Sequence, residues 1–142
     1  MSAGQSSLPI GVFDSGVGGL TVLKELTYRL PHESFVYLGD TARVPYGNRS
    51  PETIVRYALE CAAFLAQQQI KLLVVACTTV SAFALPDLEK LLGIPVIGVI
   101  RPGAEKAALT SSSGHIAVAG TAATIGSGAY QRELLARLPA AT

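Results

Sequence analysis

The chain has 142 residues, enough for one ordinary domain with a real core. Apolar residues make up 49% and charged ones 15%, which excludes a disordered chain, and a net charge of +1 gives no electrostatic case for nucleic acid or a membrane surface. The apolar runs are far too short to cross a bilayer, and residues 1–7 lack the basic and apolar regions of a signal peptide.

In chain order, short apolar runs alternate with helical patterns. The predicted strands are 10–13, 35–38, 72–76, 96–100 and 116–119, mostly rich in β-branched residues, as strands buried on both faces should be. The predicted helices are 20–30, 51–69, 80–92, 102–109 and 124–138. The first stops at Pro31, which cannot continue a helix. In the second, Ile54, Ala58, Cys61, Ala62 and Leu65 share one helical stripe, with Ser50 as N-cap, Pro51 at the first helical position and Glu52 after it. Five β-α alternations predict an α/β fold, a parallel sheet flanked by helices with right-handed crossovers. Residues 110–114 form a short polar loop. The chain stops just after a helix, where a further strand is expected, and so reads as a piece of something longer.

Each predicted strand is followed by polar or small residues. After the first come Asp14, Ser15, Gly16, Gly18 and Gly19. Glycines there permit a tight turn or let backbone N–H groups approach an anion. The dinucleotide pattern G-x-G-x-x-G fails because its last position is Thr21. A carboxylate just before the glycines suits an ammonium group better than a pyrophosphate, although Asp14 could equally cap a helix. After the second strand, Asp40, Arg43, Tyr46 and Gly47 sit in a loop stiffened by Pro45, either lining a ligand site at the strand's carboxyl end or forming a surface turn held by an Asp40–Arg43 pair.

Val74-Val75-Ala76-Cys77-Thr78-Thr79 is the most informative segment. It puts a thiol at the end of a buried strand and the start of a helix, where a thiolate is stabilised and can act as base or nucleophile. The alternative is a small buried hydrophobe, a common role for free cysteine. Thr78 and Thr79 could cap the next helix or hydrogen-bond a carboxylate. Cys61 reads as core. His32 and His115 have no partner that the sequence names. Thr121 and Thr124 follow the fifth predicted strand and read first as helix caps. No Cys/His cluster has metal-ligand spacing, so no metal site is expected, and reduced thiols in a cytoplasmic setting are the default.

Taken together, the segments 11–20 (GVFDSGVGGL), 37–47 (YLGDTARVPYG), 74–82 (VVACTTVSA), 94–103 (IPVIGVIRPG) and 120–130 (GTAATIGSGAY) resemble the glutamate racemases, within the aspartate/glutamate racemase superfamily. The resemblance implies cofactor-independent interconversion of L- and D-glutamate by two cysteines, one on each face of the substrate, supplying D-glutamate for peptidoglycan. It implies no pyridoxal phosphate and no metal. By motif, Cys77 is similar to the first catalytic cysteine, acting on the D-enantiomer, and Asp14 and Ser15 to residues that contact the substrate's amino group and orient the thiol. Tyr46, Gly47, Thr78, Thr79 and Thr121 are similar to substrate contacts. The implied partner is glutamate, with no nucleic acid and no membrane, and the resemblance admits a homodimer.

There are two departures from the family pattern. Thr78 stands where the family has Asn, in A-C-N-T, and no cysteine follows Cys77 where the family carries G-C-T-H. By resemblance, residues 1–100 make a first α/β lobe and residues 101–142 begin a second, so both lobes are expected to be incomplete, with exposed apolar surface and low stability in isolation. The competing expectations are a phosphate- or nucleotide-binding module built on Gly16–Gly19 and a non-catalytic truncated relative.

Overall fold

The first strand is apolar without interruption, and that is the mark of a strand covered on both faces. In the computed structural model, which describes residues 7–142, β1 (Ile10–Asp14) is buried along its whole length. It is flanked by β2 (Phe35–Gly39) and β3 (Leu72–Val75), and β4 (Val96–Gly98) completes a parallel sheet of order β2-β1-β3-β4. Side chains alternate across it. Ile10, Val12 and Val74 pack with Val22, Leu23 and Leu26 of α1 (Leu20–Arg29). Phe13, Leu73 and Val75 face the other way, into a core with Ile54, Ala58, Cys61, Ala62 and Leu65 of α2 (Pro51–Ala66), Val80 of α3 (Thr78–Phe83) and Leu88 of α4 (Leu85–Leu92).

That distribution follows from the strand order. The chain passes from β1 outward to β2, then returns across β1 to β3 on the other side. With right-handed crossovers, reversing direction moves the helices to the opposite face of the sheet. The loops leaving β1 and β3 therefore lead to helices on opposite faces at the sheet's carboxyl edge, the general location at which α/β sheets bind ligands. Asp14-Ser15 and Ala76-Cys77 are the residues at that point. They run side by side, since the Ala76 N–H donates to the Phe13 carbonyl at 2.7 Å.

Several expected elements differ in extent. The helix expected over 51–69 ends at Ala66, and its start is as expected: Ser50 Oγ accepts from the Thr53 N–H at 3.4 Å with Pro51 in the first turn. The helix expected over 80–92 is two helices. Cys77 takes the N-cap position, so α3 starts at Thr78. It ends at Ala84, because Pro86 has no N–H to donate and its ring obstructs the carbonyl four residues back. The strand expected over 96–100 ends at Gly98, and α5 (Ile100–Thr110) follows at once.

The fifth expected strand, 116–119, is not a strand. Ile116 and Val118 are half-buried while Ala117 and Ala119 are exposed, the period of two that a strand has. Among the described residues, however, no neighbouring strand pairs with it, and the Ile116 N–H instead donates to the Thr142 carbonyl at 3.0 Å. The helix expected over 124–138 is likewise divided into α6 (Ala122–Gly126) and α7 (Ala129–Arg137), because Gly128 adopts a left-handed φ of +66°. α7 packs along α5. Exposed apolar side chains include Ile97 on the edge strand β4, Leu109 on α5 and Leu135 on α7. Among the described residues, no helix is long and apolar enough to cross a membrane.

Candidate active site

Cys77 lies where β3 ends and α3 begins, with only 7% of its surface exposed. Its Sγ is 3.0 Å from Ser15 Oγ, and either atom can donate the hydrogen. The loop after β1 thus delivers a hydroxyl to the thiol after β3, joining two residues 62 positions apart. A hydroxyl at this distance can orient a thiol and hydrogen-bond a thiolate.

Asp14 precedes Ser15 and is 6% exposed. Its Oδ2 accepts the Gly19 N–H at 2.9 Å, at the start of α1. The carboxylate thus holds the N–H of Gly19, the N-cap residue of α1, without capping the helix in the usual sense, and the same bond weighs against the anion-binding alternative. A carboxylate already occupies the donor that a phosphate would need, and two anions cannot share it. Tyr37 of β2 lies alongside and donates its hydroxyl to the Gly16 carbonyl at 3.3 Å. Burial first, then the negative charge and hydrogen bonding of Asp14, push the Tyr37 phenol above its ordinary pKa, so it remains a donor.

A second group of side chains lies along the start of α3. Thr79 Oγ1 is 3.0 Å from Thr121 Oγ1 and 3.2 Å from Thr124 Oγ1, and the last two are 3.0 Å apart. Thr78 Oγ1 lies 3.5 Å from Thr124 Oγ1. Thr121 also caps α6, accepting from the Thr124 N–H at 3.2 Å, as its sequence position suggests. Gly47 meets the same node. A Cβ added there would sit 2.5 Å from Thr121 Cβ, so no larger residue fits without movement. Thr79, Gly47 and Thr121, from three separate stretches of chain, thus meet at one node, with Thr79 only 3% exposed and Cys77 and Thr78 just before it in sequence.

The Tyr46 side chain turns away from the threonine node into the core. It is 1% exposed, and its hydroxyl donates to Asp40 Oδ2. What it can offer a ligand at this edge is its main chain, at the start of the 3-10 turn Tyr46–Asn48. Cys61 is buried on α2 as expected, but its thiol also faces polar groups, Asp40 at 3.7 Å and Arg43 at 3.2 Å. Arg43 reaches Asp40 and Glu60 as well. The pairing with Asp40 is visible in the sequence as an i, i+3 spacing, whereas the reach to Glu60, 17 positions away, leaves no local signal. Among the described residues, no cluster of three His, Cys, Asp or Glu could hold a metal ion.

The Asp/Glu/Hydantoin racemase family matches residues 11–139. A glutamate racemase of Geobacter metallireducens is 60% identical over 125 residues, covering 88% of this chain and 46% of that protein. The solved structure of glutamate racemase from Aquifex pyrophilus superposes with a TM-score of 0.89 at 55% identity, over 92% of this chain and 52% of that one. The Francisella tularensis glutamate racemase, solved in complex with D-glutamate, superposes with a TM-score of 0.86 at 42% identity, over 94% and 50%. The chain spans about half the length of the curated relatives it matches.

Proposed function

The chain belongs to the Asp/Glu/Hydantoin racemase family, and on that premise we propose that it supplies one catalytic face of a glutamate racemase. The observation that carries this reading is the 3.0 Å contact between Ser15 Oγ and Cys77 Sγ at the point where the sheet's strand order reverses.

In the proposed reaction the Cys77 thiolate takes the α-proton of D-glutamate. The C–H bond breaks, the thiol forms, and the electron pair moves from Cα into the adjacent carboxylate. Ser15 holds the sulfur in line and stabilises it as an anion. Asp14, anchored by Gly19, faces the substrate ammonium with negative charge. The main-chain N–H groups of Tyr46 and Gly47, with the hydroxyls of Thr78, Thr79 and Thr121, receive the substrate's carboxylates. Donors fixed in advance stabilise charge that develops in the transition state most effectively. Inversion needs a proton delivered to the opposite face of Cα. Cys61, the chain's other cysteine, is committed to Asp40 and Arg43, so we assign the second donor to a part of the relatives' length that these 142 residues do not span. The chemistry asks for no cofactor.

The division into a first lobe over 1–100 and the start of a second over 101–142 belongs to the same proposal. It is supported by the confinement of the strands among the described residues to 10–98 and by the packing of α5 on α7. The cellular role that follows is cytoplasmic supply of D-glutamate for peptidoglycan. Calorimetric titration tests the reading against its nucleotide alternative. Saturable binding of D-glutamate, with no heat from ATP, supports it, and the reverse pattern refutes it.

A further inference from the structure

One guanidinium ties the loop after β2 to α2. Arg43 Nε donates to Asp40 Oδ2 at 2.6 Å, Nη1 donates to Glu60, and Nη2 points at Cys61 Sγ at 3.2 Å. Its Cζ lies 4.5 Å from the centroid of the Tyr57 ring, a cation–π distance. The Tyr46 ring packs on that same Tyr57, with centroids 5.5 Å apart. Burial opposes the guanidinium charge, but the Glu60 hydrogen bond and the Asp40 carboxylate outweigh it and raise the Arg43 pKa above its ordinary value.

Asp40 is the common partner. It is 8% exposed, and its Oδ2 takes hydrogen bonds from both Arg43 and the Tyr46 hydroxyl. Its own N–H donates to the Asp14 carbonyl at 2.9 Å. One residue therefore joins the β1 end, which bears Asp14 and Ser15, to the turn that bears Tyr46 and Gly47. A buried carboxylate holds its shape only while its cation remains in place. Removing Arg43 would leave Asp40 with uncompensated charge and leave the loop held to α2 only by the Tyr46–Tyr57 packing and the Cys61 thiol.

From this geometry we infer that Arg43, through Asp40 and Tyr46, is a positioning residue that fixes the Tyr46–Gly47 main chain relative to Cys77. The inference rests on the proposed role of that main chain in holding a substrate carboxylate. Arg43 itself has no hydrogen bond to the Cys77 thiol or to Ser15. A lysine is no equivalent, because an ammonium cannot span Asp40, Glu60 and Cys61 while stacking on a ring.

The test uses the whole 142-residue chain, nitrogen-labelled, with Arg43→Lys and Arg43→Met. Both variants are expected to shift or broaden the Tyr46 and Gly47 amide signals in NMR spectra while leaving those of Phe13 and Val75 in place. D-Glutamate titrated into either is expected to bind about tenfold more weakly, because a displaced contact loses its alignment. A role confined to stability would lower the melting temperature without moving those two amides. Unchanged Tyr46 and Gly47 amides, or D-glutamate affinity equal to that of the parent, overturns the inference. If the parent chain itself fails to bind D-glutamate, the racemase reading falls while the amide signals still decide the role of Arg43. Should neither variant fold, Glu60→Gln, which removes one exposed arm of the clamp, decides it by the same amide shifts.

Discussion

Ser15 Oγ stands 3.0 Å from Cys77 Sγ, across the gap between the ends of β1 and β3. Two residues distant in sequence meet because β1 and β3 are neighbouring parallel strands, and Ser15 and Cys77 lie just past their carboxyl ends. The hydroxyl has one evident chemical use, to hold the sulfur and share its hydrogen.

Ser15→Ala deletes that hydroxyl and little else. The rate of Cα-proton exchange on D-glutamate should fall about tenfold, the value of one hydrogen bond of about 1 kcal/mol or slightly more. The melting temperature should change little, because Ser15 is only half-buried. Exchange followed by proton NMR, beside a thermal melt, separates the two effects.

Thr78→Asn installs the residue that the resemblance to the glutamate racemases implies after Cys77. Threonine reaches less far and offers a hydroxyl where an amide gives both a donor and an acceptor. The substitution should tighten D-glutamate binding about tenfold, as one added hydrogen bond to a charged group would. Calorimetry on the two chains measures this directly.

Gly47→Ala should destabilise the chain by about 1–3 kcal/mol through overpacking, since the new Cβ would lie 2.5 Å from Thr121 Cβ. Thr121→Gly removes the obstructing atoms while retaining a tolerated N-cap residue for α6. The double variant should be more stable than the sum of the single effects, and urea denaturation of all four chains gives the coupling.

The Cys61 thiol gives a pH dependence of stability. Burial first, and then the negative charge of Asp40, raise its pKa above the ordinary 9.0. In the unfolded chain the thiol ionises at its ordinary value while the folded chain keeps the proton. The associated stability is fully present below about pH 9 and is lost as pH rises through the higher folded value. Denaturation midpoints should therefore decline above about pH 9, and Cys61→Ala should flatten the first part of that decline.

Much of the sheet was legible in the sequence, because β1 to β4 are short apolar runs, three of them ending in Asp14, Gly39 or Gly98. The apolar stripe of α2 and its Ser50 cap were legible for the same reason, being local patterns. The break at Ala84 had a visible signal in Pro86, which the apolar periodicity of 80–92 outweighed. Segment 116–119 has the alternation of a strand, but a strand exists only where a neighbour completes its ladder, and no local pattern reports that. Cys77 and Ser15 could be named from sequence because each follows a strand. Their mutual contact, the threonine node on α6 and the reach of Arg43 to Glu60 arise from the order of strands and the packing of α2 and α6, which pairwise spacing does not encode.

The most direct measurement is proton NMR of D- and L-glutamate incubated with this chain in heavy water, beside Cys77→Ala. Loss of the Cα-proton signal of D-glutamate that depends on Cys77 is expected, without inversion to the L-enantiomer, as one thiol on one face would give. No exchange with the parent chain, or equal exchange with Cys77→Ala, would contradict the assignment of Cys77 as the base.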